Sequence, residues 1–184
     1  MPPKQRITRE MILERSFAMF SREGMEAVNA RSVAKALNCS TQPIFSYYAG
    51  MEDLKTTLEQ KANETFDQAI KAAGDQADPV VRLCVAYVRF AAQEPRLFAH
   101  LFMRLDAEQT RVFPDAALRE EIAQQECASA GLSPEQAQAL IDRMTVCAHG
   151  LATLLASGRT AFPPEQAEKL LAEAYDSVLA RVRA

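Results

Sequence analysis

Polar, hydrogen-bonding side chains are concentrated between residues 40 and 47. Ser40, Thr41 and Gln42 stand at the start of a short predicted helix, and a Gln amide can form two hydrogen bonds with an adenine edge in the major groove of DNA. The hydroxyls of Ser46 and Tyr47 can bind phosphate oxygens, which positions a protein without reading sequence. Taken singly, Ser and Thr at a helix start usually cap the helix, and adjacent tyrosines usually pack in a core. Their joint arrangement predicts contact with DNA.

Charge is unevenly distributed along the chain. Residues 1–50 carry seven Lys and Arg against four Asp and Glu, a net charge of +3, whereas the remaining residues sum to −6 and the whole chain to −3. We call residues 1–50 the head and the remaining residues the body. Because the head is basic and the body is acidic, we expect only the head to contact an anionic partner. Lys4 and Arg6 precede the first predicted helix, in an arm that can reach a phosphate or a neighbouring minor groove.

The sequence lacks the residue patterns that usually carry catalysis or bind metals. It has no Gly-rich phosphate loop, no nucleophile elbow and no paired carboxylates on one helix face, so we expect neither an enzyme, with catalytic residues, nor a cofactor. Four widely spaced cysteines and two histidines show no ligand spacing, so no metal site is expected. We expect reduced, mostly buried thiols, and a thiol sensor remains an open alternative.

The sequence also gives no sign of membrane insertion or export. No apolar run approaches the roughly 18 residues that span a bilayer. Residues 1–6 are polar and basic, with no apolar signal core behind them. We therefore expect a cytoplasmic protein without a membrane partner.

Start and stop signals divide the first 50 residues into three short helices. Thr8 is the predicted cap of the first helix, and Gly24 can end that helix in a left-handed conformation. Asn29 is the predicted cap of the second helix, and Asn38 follows it at a turn position where a positive φ costs Asn less than most residues. Ser40 is expected to cap the third helix. Three helices joined by brief turns predict a trihelical unit of the helix-turn-helix type.

The rest of the chain shows helical periodicity and no alternating strand pattern. Gly and Pro signals divide it into six predicted helices, with approximate bounds of 52–73, 79–93, 96–105, 115–130, 134–157 and 164–183. We predict an all-α protein of about nine helices in two domains. The N-terminal domain is a three-helix helix-turn-helix domain over residues 1–50, and the C-terminal helical domain covers residues 51–184.

Residues 8–54 resemble the DNA-binding head of the tetracycline repressor (TetR) family of bacterial transcription regulators. The order and spacing of the family's pattern hold throughout. The pattern stands here as Ile12-Leu13…Phe17…Phe20…Gly24, then Arg31…Val33-Ala34…Asn38-Cys39-Ser40, then Ile44-Phe45-Ser46-Tyr47-Tyr48…Glu52-Asp53-Leu54. The resemblance adds Arg31 and Tyr48 to the expected DNA contacts.

Two positions depart from this family pattern. Asn38 replaces the common turn Gly, and Met51 stands where a Lys usually opens the linker helix and binds a phosphate. Phosphate contacts would then fall to Tyr47, the N-terminal arm and backbone amides.

The C-terminal domain resembles one subfamily of TetR ligand-sensing and dimerisation domains in two segments. They are Glu94-Pro95-Arg96-Leu97-Phe98…Leu101-Phe102 and Ala148-His149-Gly150-Leu151-Ala152, without the Trp often found before the His-Gly pair. The resemblance implies a ligand pocket among the central helices, with candidates Phe66, Phe90, Phe98, Phe102, Met103, Met144 and His149. It also implies a dimer interface on the last two helices, with candidates Leu140, Met144, Leu151, Leu155, Leu171 and Val178. For each candidate, packing in the monomer's own core is the alternative.

These expectations combine into one function. The resemblance implies a one-component regulator that binds a palindromic operator in double-stranded DNA as a homodimer, represses transcription, and is released by a small apolar or aromatic effector. The alternatives are a TetR-like activator and a helical dimerisation module without ligand control.

Overall fold

A computed structural model describes residues 6–73, 78–104, 111–159 and 163–184. Within these ranges the chain forms nine α-helices and a 3-10 turn, Met25–Ala27, and contains no strand. The helices are α1 (Arg9–Glu23), α2 (Ala30–Ala36), α3 (Gln42–Tyr47), α4 (Met51–Lys71), α5 (Pro79–Gln93), α6 (Pro95–Phe102), α7 (Ala116–Ala130), α8 (Pro134–Ala156) and α9 (Pro164–Arg183). The all-α prediction is confirmed. Among helices α4 to α9, only α6 ends more than two residues from its predicted end.

Local signals set the ends of the first two helices as predicted. The Thr8 side chain accepts a backbone N–H (3.2 Å) at the start of α1, and Gly24 ends that helix with a φ of 97°. Asn29 and Ser32 cap each other's backbone at the start of α2. Asn38 follows with a φ of 51°. The turn between α2 and α3 is therefore made by an Asn in the conformation that a Gly would otherwise supply.

Helix α3 begins one residue later than its predicted cap requires. Thr41 is the N-cap residue and already has helical φ and ψ, and no side chain caps the helix. The prediction that Ser40 caps α3 is wrong, because the chain enters the helix through Thr41. Pro43 in the first turn reduces the need for a cap, since it has no N–H to satisfy.

The chain divides into two compact units, Met1–Thr65 and Phe66–Ala184. Helix α4 contributes to both, because the division falls within it. The predicted functional boundary after residue 50 stays a prediction. In the first unit, α1 packs on α2 and α3 around buried apolar side chains. These include Ile12, Phe20, Val33, Ile44, Leu54 and Leu58.

Helix α5 is the centre of the second unit. It packs against α6, α7, α8 and α9, and eleven of its fifteen residues are buried. A helix that is apolar on all sides is stable only when it is enclosed in this way. Asp78-Pro79 precedes it and Pro95 follows it, as the sequence predicts.

Aromatic side chains fill the space beside α5. The Phe66 ring meets those of Phe90, Phe102 and Phe113 edge to face, with centroid separations between 4.9 and 5.4 Å. Tyr87 stacks on Phe113 at 4.1 Å. Offset and edge-to-face pairs of this kind stabilise a core beyond the area they bury.

A buried carboxyl group on α7 links three helices of this unit. Glu126 accepts the backbone N–H of Val80 (3.0 Å) at the start of α5 and the hydroxyl hydrogen of Tyr175 (3.1 Å) on α9. Burial raises the pKa of Glu126 above its ordinary value, and the two hydrogen bonds oppose part of that rise.

Candidate functional site

Helix α3 presents a polar edge to solvent. Gln42, Ser46 and Tyr47 are exposed, as is Ser40 just before the helix, and Thr41 is half-buried. The Ser46 hydroxyl donates to the backbone carbonyl of Gln42 (3.0 Å), which leaves the Ser46 oxygen able to accept. The structure thus brings these five predicted side chains into one surface segment, and their contact with DNA stays a prediction.

The start of the chain lies beside α3. The Tyr47 hydroxyl donates to the backbone carbonyl oxygen of Ile7 (3.3 Å), so the exposed Arg6 is held near the same helix. Arg31 is exposed on α2. Lys4 lies outside the described residues. Two of the predicted cations are therefore available to phosphates on the surface of the head.

Tyr48 corrects the predicted set of DNA contacts. It is 2% exposed, because it stands four residues after Ile44 and shares the buried face of that residue. The Arg9 guanidinium lies 5.0 Å from its ring centroid, and burial raises the pKa of the Tyr48 hydroxyl. The prediction that Tyr48 contacts DNA is wrong, since its side chain belongs to the core of the head.

Phe45 is a surface residue of α3 that the sequence prediction missed. Its side chain is 51% exposed, and it stands three residues after Gln42, on the same side of the helix. Its ring faces solvent, and apolar side chains can contact the methyl group of thymine in the major groove. The spacing from Gln42 was the signal that would have identified it.

The start of α4 is acidic where the family pattern has a cation. Glu52 and Asp53 lie in its first turn, and the Asp53 carboxylate accepts the backbone N–H of Ala49 (2.9 Å). Lys55 pairs with Glu52 at 2.9 Å. With Met51 in place of Lys, this helix end carries carboxylates that would repel a phosphate. The phosphate contacts that the sequence assigns to Tyr47 and the N-terminal arm stay predictions.

The second unit contains a cavity of about 630 Å³. It is lined by the last turns of α4, the start of α5, residues 111–115 and α7. Its apolar lining comes from Phe66, Ile70, Leu83, Leu118 and Ile122. The volume lies within the range of small-molecule sites in proteins.

The cavity lining differs from the predicted pocket. Of the seven candidates, only Phe66 lines the cavity. Phe90, Phe98, Phe102 and Met144 are buried in the core of the unit, and Met103 is exposed after the end of α6. His149 is exposed on α8, with Nδ1 2.9 Å from the Tyr87 hydroxyl. These six do not line this cavity, and their assignment to a ligand pocket stays a prediction.

Charged side chains share the cavity lining with the apolar ones. Arg111 pairs with Asp67 at 2.5 Å, and its guanidinium lies 4.6 Å from the Phe66 ring centroid. Arg82 donates to Gln125 (3.1 Å). The cavity is therefore amphipathic rather than purely apolar. Over the described ranges, no three His, Cys, Asp or Glu side chains converge in a way that would hold a metal ion.

The predicted dimer candidates fall into two groups. Leu140, Met144 and Leu171 are fully buried within the protomer, so they have no surface left for a second copy, and their assignment to an interface is wrong. Leu151, Leu155 and Val178 are half-buried and keep that prediction. The periodic stripe on α8 faces the unit's own core because α5, α7 and α9 cover it.

Other apolar side chains of α8 and α9 are exposed and were missed. Val146 is 73% exposed, Leu154 40% and Leu170 37%. Val146, Gly150 and Leu154 are spaced four residues apart, so they lie on one face of α8. By length and composition α8 would suffice to cross a membrane, a property that it shares with the core helices of many globular proteins, and 28% of its most apolar stretch is buried in the protomer.

Known proteins resemble this chain in sequence. Residues 80–178 match the family described as tetracyclin repressor-like, C-terminal domain. The HTH-type transcriptional regulator YobS of Bacillus subtilis (strain 168), itself uncharacterised, is 22% identical over 120 residues, and the match spans 62% of this chain and 62% of that relative's length.

Solved structures show the same fold. A TetR-like transcriptional regulator from Rhodococcus sp. RHA1 has a TM-score of 0.64 at 16% identity, covering 95% of this chain and 99% of that one. The multidrug binding protein EbrR complexed with imidazole has a TM-score of 0.54 at 20% identity, covering 90% and 88%. Because the family match extends over more than half of its length, the chain belongs to the tetracycline repressor family of transcriptional regulators.

Proposed function

We propose that this protein binds an operator in double-stranded DNA as a homodimer and represses transcription until a small effector binds in its second unit. The observation that carries the proposal is the exposed edge of α3, where Gln42, Phe45, Ser46 and Tyr47 stand together after a tight turn. A regulator of this kind acts in the cytoplasm, where the chromosome and the effector are both accessible.

Different side chains of the head would contact the base edges and the phosphates. Gln42 and Phe45 are three residues apart on α3 and suit base edges, an adenine and a thymine methyl group respectively. Tyr47 and Ser46 suit phosphate oxygens when DNA binding turns their hydroxyl hydrogens away from the carbonyls of Ile7 and Gln42. Arg6 and Arg31, with Lys4 in the arm, supply positive charge for the backbone.

A homodimer would present two such heads to a palindromic site. We propose that the exposed apolar face of α8, with Val146 and Leu154, packs with Leu170 of α9 against the same surface of a second copy. An isologous interface of this type is self-complementary. Two heads about one DNA turn, roughly 34 Å, apart fit successive major grooves of such a site.

Ligand release requires a path from the cavity to the head. Helix α4 supplies one, since Met51 follows the DNA-reading segment and Phe66, Asp67 and Ile70 of the same helix line the cavity. An effector that prefers the DNA-free conformation shifts the equilibrium by about 1.4 kcal/mol for each factor of ten in relative affinity.

Fluorescence anisotropy with DNA from upstream of the protein's own gene tests DNA binding. We expect specific, salt-sensitive binding that Gln42→Ala weakens roughly 5- to 150-fold, corresponding to about 1–3 kcal/mol for one base contact. Tyr47→Ala should weaken binding to all sequences. Gln68→Ala, an exposed Gln on α4, is the matched control. No binding by the wild-type protein at low salt would refute the proposal.

In vitro transcription from the same DNA separates repression from the alternatives. A repressor lowers transcript yield when it is added, and a TetR-like activator raises it. A dimerisation module without DNA binding changes nothing.

A further inference from the structure

The charged side chains of the cavity differ in how fully they are paired. Asp67 is engaged by Arg111 in an ion pair, and the same guanidinium stacks over Phe66. The Asp115 carboxylate accepts the N–H of Leu118 (2.9 Å) at the start of α7. These carboxylates therefore already have partners in the protein.

Arg82 is paired differently. Arg82 is half-buried, and its guanidinium donates to the side-chain oxygen of Gln125 (3.1 Å). No carboxylate within the described ranges lies within ion-pair distance of it. The amide nitrogen of Gln125 donates in turn to Glu121 (3.2 Å). A neutral amide thus stands between the cation and this exposed carboxylate. A half-buried charge with one neutral partner is incompletely compensated.

We propose that the effector is a small organic monocarboxylate whose carboxylate pairs with Arg82 and whose apolar body packs against Leu83 and Ile122. A planar guanidinium can bind a carboxylate through two parallel hydrogen bonds. Leu83 and Ile122 are buried and line the same cavity. The proposal rests on the proposed function, because it names the chemical class of the effector that releases the operator.

A cationic effector fits the lining less well. It would have to break the Asp67–Arg111 pair or depend on Glu121, an exposed carboxylate that solvent screens. The positive end of α7 adds little for either sign of charge, since Asp115 already occupies it. Lys71 and Glu121 of the lining are exposed to solvent, so Arg82 is the half-buried charge of the lining that has only a neutral partner.

Isothermal titration calorimetry on the full chain tests this assignment with matched probes. The probes are 2-naphthoate, its primary amide and the corresponding aminomethyl compound, with decanoate as a second carboxylate. The variants are Arg82→Gln, which keeps hydrogen-bond donors for Gln125, and the control Arg89→Gln. Arg89 lies on the same helix, pairs with Glu168 and does not line the cavity.

We expect at least one carboxylate to bind, with the amide and the amine at least tenfold weaker than 2-naphthoate. Arg82→Gln should weaken carboxylate binding at least tenfold and leave the amide within twofold, whereas Arg89→Gln should match the wild type. The proposal is overturned if neither carboxylate binds at millimolar concentration, if the amide or amine binds as tightly, or if Arg82→Gln has no effect. The probe comparison on the wild-type chain remains decisive if the variant fails to fold.

Operator release, measured with the same probes, distinguishes this proposal from the proposed function. If a carboxylate binds through Arg82 and the operator stays bound, the anion site stands and ligand release fails. If the amide or amine releases the operator and the carboxylates do not, ligand release stands and the anionic class fails.

Discussion

Substitutions of Glu126 separate two contributions to the stability of the fold: that of its hydrogen bonds and that of its buried charge. Glu126→Gln and Glu126→Leu both remove the charge, and only the Gln side chain keeps an acceptor oxygen for the Val80 N–H. The Tyr175 hydroxyl also donates to Glu126 (3.1 Å), and only the Gln side chain keeps a polar atom beside it. The difference between the two variants therefore measures the buried hydrogen-bond partners that this position supplies, above all the acceptor for the Val80 N–H.

The size of that difference follows from where the Val80 N–H lies. Val80 is 1% exposed and in the first turn of α5, where a backbone N–H has no partner within the helix. A buried donor left unpaired costs about 1–3 kcal/mol. For a chain of this size, each kcal/mol lowers Tm by about 2–4 °C. Glu126→Leu should unfold about 2–12 °C below Glu126→Gln.

The same residue predicts a pH dependence. Burial raises the pKa of Glu126 in the folded state above its ordinary value of 4.5, so the folded state favours the protonated form. Its contribution to stability is fully present below the unfolded-state pKa and is lost as pH rises through the raised folded-state pKa. The wild type should therefore lose stability relative to Glu126→Gln as pH increases above 4.5.

Thermal unfolding followed by circular dichroism, repeated across this pH range, measures both effects. Glu120→Gln, an exposed residue on the same helix, is the control and should track the wild type. The reasoning fails if the Leu and Gln variants unfold at the same temperature. It also fails if the wild-type and Gln curves stay parallel with pH.

Further predictions concern the exposed face of α8 and the buried thiol of Cys84 on α5. Val146→Asp should weaken self-association at least tenfold in light-scattering measurements, because a charge would enter the proposed interface. The control is Val112→Asp, at a residue 72% exposed outside α8, which should associate like the wild type. Equal association of both variants would contradict the interface. Burial raises the pKa of the Cys84 thiol to about 12, so roughly one molecule in 10,000 is thiolate at pH 8, and iodoacetamide should leave Cys84 unmodified in the folded protein. The exposed Cys147, next to Val146, should react faster in Val146→Asp than in the wild type, and equal rates would again exclude this face.

The ends of the helices were predictable because local chemistry sets them. Thr8 and Asn29 cap helices through hydrogen bonds to backbone groups three residues away, and Pro95 interrupts a helix wherever the chain places it. Asn38 takes the positive φ that its turn position requires. Signals that act within a few residues need no tertiary contact to be read. For the same reason the sequence predicts the polar edge of α3.

The faces that helices bury were decided by the tertiary structure. Tyr48 and Leu140 belong to apolar patterns that suit a core, a pocket or an interface equally well, and only the packing of α1–α3 and of α5 with α8 makes them core residues. The cavity brings Phe66, Arg82 and Ile122 together from three helices that are distant in sequence. Periodicity indicates which side chains share a helix face, but it does not indicate which element, if any, packs against that face. The sequence by itself determined the helices and the polar edge of α3, whereas the folded packing of distant elements decided which apolar residues remain exposed and which side chains line the cavity.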